Sequence, residues 1–234
     1  MFAYGATGAG KTYTMIGPPE KPGIMFSAMN DLFKKIEDNK ILKNYYLKAS
    51  YLEIYNENIK DLLSMEDKNL ELREDPIKGV TVHGITEVEA ASISEIRAIL
   101  KIGNKNRTKE MTNANEASSR SHAVFQVSLE ERDKNQGVDE EVNMAKFSLI
   151  DLAGSERGAN NSNRGIRLLE GTKINQSLLV LGNCIHALSE QSEKGSKNSF
   201  VPYRGSKLTR LLKVQRIDFI LNLRRIQLEE TAEQ

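Results

Sequence analysis

The feature that most constrains this chain is a Gly-rich run near its beginning, which meets the whole pattern Gly-x-x-x-x-Gly-Lys-Ser/Thr. The run consists of Gly5, Ala6, Thr7, Gly8, Ala9, Gly10, Lys11 and Thr12. Its glycines let backbone N–H groups turn inward around phosphate oxygens, its lysine adds a positive charge, and its final hydroxyl can ligate Mg²⁺. The run follows strand-like residues and precedes helix-like ones, so it predicts a nucleotide-phosphate site at a strand-to-helix junction.

The rest of the chain alternates between helical and extended patterns. Helical spacing or short helix signals predict helices over 11–16, 24–36, 59–63, 93–104, 168–189 and 206–212. Aromatic and β-branched runs predict strands over 45–54, 70–72, 80–88, 123–129 and 145–152. Ser92 and Glu95 have capping-box spacing at the start of one helix. The order predicts an α/β fold with a P-loop NTPase-type central mixed sheet flanked by helices on both faces.

Composition narrows the classes of partner. The 33 Lys and Arg residues nearly balance the 32 Asp and Glu residues, for a formal charge of +1, so the chain lacks the strong positive field of a bulk nucleic-acid binder. A single cysteine, Cys184, excludes an internal disulfide and suits a reducing compartment. The longest apolar stretch, 177–188, is shorter than the roughly 20 residues of a membrane span. We therefore expect neither a nucleic-acid nor a membrane partner.

Two further polar segments fit nucleotide chemistry. Asp151 follows an apolar strand, where carboxyl ends of strands bind ligands in α/β sheets. It can hold Mg²⁺ through water, while the Gly154 N–H approaches the terminal phosphate. The second segment, Asn115 to His122, gathers hydroxyls, an amide and a cation just before a strand. Taken alone, it fits a Ser- and Asn-rich turn equally well.

Together these segments resemble the kinesin motor domain. The matching segments are the phosphate loop 5–12, the first switch 115–122, the second switch 149–157, and the stretches 51–57, 174–182 and 201–210. The resemblance covers residues 1 to about 213 and is greatest to the kinesin-eight class. It implies a microtubule-based motor ATPase that uses ATP and Mg²⁺, located in the cytoplasm on the microtubule cytoskeleton.

The resemblance also implies roles for individual residues. The implied catalytic set is Asn115, Ser118, Ser119, Arg120, Gly154 and Glu156. Ser119 would join Thr12 on Mg²⁺, with Asp151 acting through water, and Ser118 would place the attacking water through its backbone. Arg120 and Glu156 would pair to close the two switches around the γ-phosphate, which suits a reaction governed by positioning and electrostatics.

The implied track is the microtubule, whose acidic surface would attract cations that follow the second switch. The implied contacts are Lys173, Arg204, Lys207 and Arg210. Without the resemblance, an ordinary solvated face would be the preferred interpretation of these residues. Cargo, direction of movement and oligomeric state would be set outside this chain.

Departures from the family leave a second hypothesis open. The family's motor domain begins before the phosphate loop and continues past Lys213, so we expect an incomplete domain over 1–213, without its N-terminal and C-terminal strands. Residues 214–234 would form a divergent tail with a pattern compatible with a helix. The alternative function is a non-catalytic, microtubule-binding pseudo-motor, and a P-loop NTPase acting on nucleic acid is disfavoured. Gly205 replaces a common Asp, and we expect it to loosen the following helix.

Overall fold

The computed structural model describes residues 1–18, 20–66, 68–75, 79–111, 120–134, 142–155, 166–194 and 200–213. The strands are β1 (Phe2–Ala3), β2 (Lys43–Tyr55), β3 (Asn58–Asp61), β4 (Asn69–Asp75), β5 (Gly79–His83), β6 (Val88–Glu89), β7 (Ser121–Asp133) and β8 (Asn143–Asp151). The helices are α1 (Lys11–Met15), α2 (Ile24–Asn39), α3 (Ile93–Met111), α4 (Ile166–Lys194) and α5 (Lys207–Leu212), with a 3₁₀ turn at Tyr203–Gly205. One compact unit comprises residues 1–70 and 84–175, and a second comprises 71–83 and the residues from 176 onward.

The first unit is built on a mixed sheet that confirms the α/β prediction. β1 pairs in parallel with β8, β8 pairs antiparallel with β7, and β7 pairs antiparallel with β2 along all 13 residues of each strand. β3 and β6 pair antiparallel with β2. Ala3 lies beside Asp151, and Asp151 lies beside Ala123. The phosphate loop therefore begins beside the end of β8 and the start of β7, at the same end of these neighbouring strands.

The central strands are covered on both faces. Tyr51 and Phe125 are fully buried and meet edge to face, with ring centroids 5.7 Å apart, in a core completed by residues of α2 and α3. Leu52 and Val124, which alternate with them, are equally buried. β2 is therefore buried almost continuously after Leu47, although Ser50 and Glu53 are among its buried residues.

One predicted element is wrong. The sequence suggested a short helix over 59–63, but residues 58–61 form β3 in a hairpin with β2. Asn56 and Glu57 take positive φ values of 52° and 61° between the paired Tyr55 and Asn58. A two-residue turn with positive φ at both positions matches the twist of antiparallel strands. The residues after the turn therefore form the second strand of a hairpin.

The second unit contains the hairpin of β4 and β5, the later part of α4, and α5. Ser206 caps α5 by accepting a hydrogen bond from the Thr209 N–H at 3.1 Å. We expected a looser helix because Gly205 lacks a capping side chain. That reason is wrong, because the N-cap is Ser206, one residue later. A Cβ on Gly205 would lie 2.7 Å from Cγ1 of Val180, so a larger residue at position 205 would clash with this valine unless one of them moved.

In the part of the chain that the structure describes, no helix combines the length and apolar character needed to cross a bilayer.

The close approach of α3 to β2 gives a stability prediction. A Cβ on Gly103 would lie 2.1 Å from Cδ1 of the buried Tyr51, whose hydroxyl also bonds to Asn104 Oδ1 at 2.8 Å. Gly103→Ala should therefore lower the free energy of unfolding by about 3 kcal/mol, at the upper end of overpacking effects. Gly182→Ala on α4 is the matched control, because a Cβ there meets no heavy atom within 4 Å.

The control should be neutral or stabilising by about 0.5–1 kcal/mol, since alanine favours a helix over glycine. Urea denaturation of both variants beside the parent measures the difference. Similar unfolding midpoints for Gly103→Ala and Gly182→Ala would contradict the close packing of α3 on Tyr51.

Candidate nucleotide-binding and switch site

The phosphate loop between β1 and α1 has the backbone that its glycines predict. Gly8 and Gly10 have φ values of 80° and 87°, in the left-handed region that favours glycine. The Lys11 ammonium donates hydrogen bonds to the carbonyl oxygens of Gly5 and Ala6, each at 2.9 Å. The lysine is thus held over the loop by neutral oxygens, which a phosphate oxygen can replace as stronger, charged acceptors.

The structure brings Thr12 and Asp151 together, as the motifs predict. The Thr12 hydroxyl donates to Oδ2 of Asp151 at 2.7 Å, across 139 residues of sequence. Asp151 is 1% exposed, and its Oδ1 is buried with no hydrogen-bond partner among the described residues. A hydroxyl beside a buried carboxylate with an available oxygen suits the hard-oxygen preference of Mg²⁺. These donors therefore fit the implied metal.

Sequence reasoning missed a buried arginine in this site. Arg107 is 4% exposed; its Nη1 donates to Oδ2 of Asp151 at 2.8 Å, and its Nε lies 3.5 Å from Oε1 of Glu53. Nη2 donates to the backbone oxygen of Ser121 at 3.3 Å. The guanidinium thus lies between two buried carboxylates and ties α3 to β2, β7 and β8.

A signal for Arg107 was present in the sequence. Ile96, Leu100 and Gly103 are buried or closely packed at spacings of four and three, and Arg107 follows four residues later on the same helical face. The predicted helix ended at residue 104, whereas α3 continues to Met111. Extending the helical period would have placed a cation on a buried face, which requires an acidic partner.

The second switch is anchored on both sides of Gly154. The Ala153 N–H donates to Nδ1 of His122 at 3.1 Å, and the Ser155 N–H donates to the carbonyl oxygen of Gly5 at 3.1 Å. The second switch is thereby bonded to β7 and to the phosphate loop. The resemblance implied only that His122 belongs to the first switch, and its contact with Ala153 was not foreseen.

His122 gives the fold a pH dependence. Burial, first, and then the Arg107 guanidinium lower the pKa of His122 to about 4, while the Asp151 carboxylate acts in the opposite direction. An unfolded histidine has a pKa near 6.5, so between about pH 6.5 and 4 the unfolded chain takes a proton that the folded chain refuses. This residue therefore makes the fold less stable as the pH falls through that window.

The expected loss is roughly 2 kcal/mol on going from pH 7 to pH 5. The measurement is urea denaturation at both pH values for the parent and for His122→Asn, which removes the titration and keeps a hydrogen-bond acceptor. The variant should lose about 2 kcal/mol less than the parent. Equal losses in the two proteins would show that His122 does not carry this dependence.

Several predicted residues lie outside the described part of the chain, namely Asn115, Ser118, Ser119 and Glu156. Their catalytic and metal-binding roles stay predictions. Arg120 is described and lies immediately before β7, half-buried. Gly154 is buried.

The predicted microtubule contacts differ in their surroundings. Arg204 is exposed, whereas Lys207 lies 3.6 Å from the Glu71 carboxylate and only 21% of its side chain is exposed. Arg210 is half-buried, and its Nε has no hydrogen-bond partner among the described residues. Lys173 lies on α4, and its side chain is outside the described part. Arg204 is thus the most accessible candidate of the three whose side chains are described.

Comparison with known proteins identifies the family. The model of the kinesin motor domain matches residues 1–216. The chain belongs to the kinesin motor domain family. It is 52% identical over 213 residues to kinesin-like protein KIF19 of Homo sapiens and 47% identical over 213 residues to kinesin-like protein KIN-8B of Arabidopsis thaliana, with 91% of this chain covered in each case. These relatives confirm the resemblance to the kinesin-eight class.

A solved kinesin structure supports the same assignment. The KIF14 dimer, in a two-heads-bound state with AMP-PNP in complex with a microtubule, is 42% identical with a TM-score of 0.79 and covers 91% of this chain. This chain covers 60% of that one, and it spans 21% of KIF19 and 26% of KIN-8B. The kinesin chain therefore spans about a fifth to a quarter of the length of these curated relatives.

Residues 214–234 lie outside the described part of the chain, and the prediction that they form a divergent tail stays a prediction.

Proposed function

We propose that this kinesin chain binds and hydrolyses Mg-ATP and couples the state of its nucleotide site to microtubule binding. The observation that carries the proposal is the meeting of two sequence-distant segments, the phosphate loop and the second switch, at one end of the sheet strands. Thr12 of the phosphate loop bonds to Asp151 of the second switch, and Ser155 of the same switch bonds back to Gly5. Such a connection lets a change at the phosphates act directly on both segments.

The first role of the chain is to hold the nucleotide phosphates. Lys11 would exchange its bonds to the Gly5 and Ala6 carbonyls for bonds to phosphate oxygens, and inward-facing N–H groups of the loop would complete the cradle. Thr12 and Ser119 would hold Mg²⁺, with Asp151 acting through water. When bound, the ion neutralises charge on the outer phosphates.

The second role is to orient the reacting groups. Gly154 would meet the γ-phosphate with its N–H, and Ser118 would place the attacking water through its backbone. The pair of Arg120 and Glu156 would close the site and exclude bulk water. These roles come from the family pattern, and the positions of Arg120 beside β7 and Gly154 beside the phosphate loop are compatible with them.

The third role is binding to the track. Arg204, Lys207, Arg210 and Lys173 would contact the acidic surface of the microtubule, and the KIF14 structure in complex with a microtubule supports this partner. Location on the microtubule cytoskeleton of the cytoplasm follows from the same proposal. Added salt should weaken microtubule binding, because it screens the attraction between exposed charges over a Debye length of about 10 Å at 0.1 M ionic strength.

The alternative function is a pseudo-motor that binds microtubules without turnover. Microtubule co-pelleting in the presence of ADP or AMP-PNP tests the coupling between the two sites. The proposal expects the fraction bound to differ between the two nucleotides, with more chain bound in AMP-PNP. Equal binding in both nucleotides would favour the pseudo-motor, and no binding in either would contradict both functions.

A further inference from the structure

Gly154 lies between two anchored peptide units. On one side the Ala153 N–H donates to His122 Nδ1, and on the other the Ser155 N–H donates to the Gly5 oxygen, both at 3.1 Å. Holding the neighbouring amides restricts how far the Gly154 peptide can rotate. The direction of the Gly154 N–H therefore depends on both anchors.

The two anchors have different foundations. Gly5 belongs to the phosphate loop itself, so its carbonyl moves with the nucleotide site. His122 is 2% exposed and lies in β7, which is paired along 13 residues with β2 and along nine with β8. The imidazole thus fixes Ala153 of the second switch to the most extensively paired strand of the described sheet.

The protonation state of the imidazole suits this contact. An N–H donor needs a lone pair on Nδ1, so the ring must be neutral and carry its proton on Nε2. Burial and the neighbouring Arg107 lower the pKa of His122 to about 4, which keeps the ring neutral near neutral pH. Asn is the closest substitute that retains an acceptor on a short planar side chain.

We propose that His122 is a positioning residue that fixes the Gly154 amide and so determines how strongly the site prefers a nucleoside triphosphate over a diphosphate. The inference rests on the proposed function, because it requires Gly154 to face the third phosphate. The phosphate loop contacts the phosphates that both nucleotides share, whereas the Gly154 N–H is offered to the additional one. Loosening Gly154 should therefore weaken triphosphate binding selectively.

The experiment compares dissociation constants for ADP and AMP-PNP, measured by calorimetry with Mg²⁺, in the parent, His122→Leu and His122→Asn. In His122→Leu the ratio of the ADP constant to the AMP-PNP constant should fall about tenfold, the size expected for losing a well-placed bond to a charged group. The ADP constant itself should stay within about twofold of the parent value. His122→Asn should keep the ratio within about threefold.

An unchanged ratio in His122→Leu, or equal weakening of both nucleotides, would overturn the inference. If His122→Leu does not fold, His122→Thr provides the same comparison, since Thr suits a strand but is too short to reach the Ala153 N–H. The hydrogen-exchange protection of the Ala153 amide should fall in His122→Leu and His122→Thr and persist in His122→Asn. A parent that binds neither nucleotide would instead contradict the proposed function.

Discussion

Lys11→Ala should weaken ADP binding by about a hundredfold or more, the largest effect on ligand binding that we expect from one substitution. The Lys11 ammonium is the charged donor of the phosphate loop, and it donates hydrogen bonds to the carbonyl oxygens of Gly5 and Ala6. Charge-assisted hydrogen bonds to phosphate each contribute about 1.5–3 kcal/mol, and a hundredfold change corresponds to about 2.7 kcal/mol. The variant also loses the two bonds from the lysine to the loop carbonyls.

Lys40→Ala is the matched control for Lys11→Ala. Lys40 is an exposed lysine directly after α2, and its ion pair with Glu37 is also exposed. Lys40→Ala should bind ADP as the parent does, because Lys40 is not part of the phosphate loop and an exposed ion pair contributes little. Titration with a fluorescent ADP analogue measures the nucleotide affinity of the parent, Lys11→Ala and Lys40→Ala. Comparable affinity in Lys11→Ala and the parent would contradict the assignment of the loop.

Arg107→Ala should produce the largest loss of stability. The substitution leaves the Glu53 and Asp151 carboxylates, 6% and 1% exposed, without the cation that lies between them. Removing one partner of a buried ion pair typically costs about 3–5 kcal/mol, because an uncompensated charge stays buried. In a chain of this size, that loss corresponds to a fall in Tm of roughly 6–20 °C.

Arg97→Ala, on the same helix, controls for the loss of an arginine from α3. The Arg97 guanidinium lies over the Phe26 ring at 4.5 Å from its centroid. An exposed cation–π contact contributes only about 0.5–1 kcal/mol, so Arg97→Ala should lower Tm by a few degrees at most. Thermal unfolding followed by circular dichroism compares the two variants. Equal shifts would show that Arg107 does not balance the two carboxylates.

Local patterns were enough to predict the parts of the site that follow one another closely in sequence. The phosphate loop is one such part, because glycine spacing and the following lysine and threonine describe its backbone and chemistry together. Asp151 was predictable since an apolar strand precedes it and carboxyl ends of strands meet at one edge. The Thr12 to Asp151 bond shows that these two segments meet in the structure.

Contacts that depend on a turn or on helix length could not be read in the same way. β3 was mistaken for a helix because the positive φ values at Asn56 and Glu57 are a property of the hairpin turn. Arg107 was missed since the predicted helix stopped before it. His122 accepts a hydrogen bond from the backbone N–H of Ala153, about 30 residues away in sequence. Every residue except proline has such an N–H, so the side-chain pattern does not indicate which one His122 binds.

The central proposal is that this kinesin chain contributes the nucleotide site of a microtubule-stimulated ATPase. The most direct test is steady-state phosphate release, with and without microtubules, from the chain itself and from the chain extended at both ends with the flanking sequence of the KIF19 motor domain. We predict that microtubules accelerate ATP hydrolysis by the extended form at least about tenfold. An extended form that binds Mg-ATP and microtubules yet hydrolyses ATP at the same rate with and without microtubules would contradict the account.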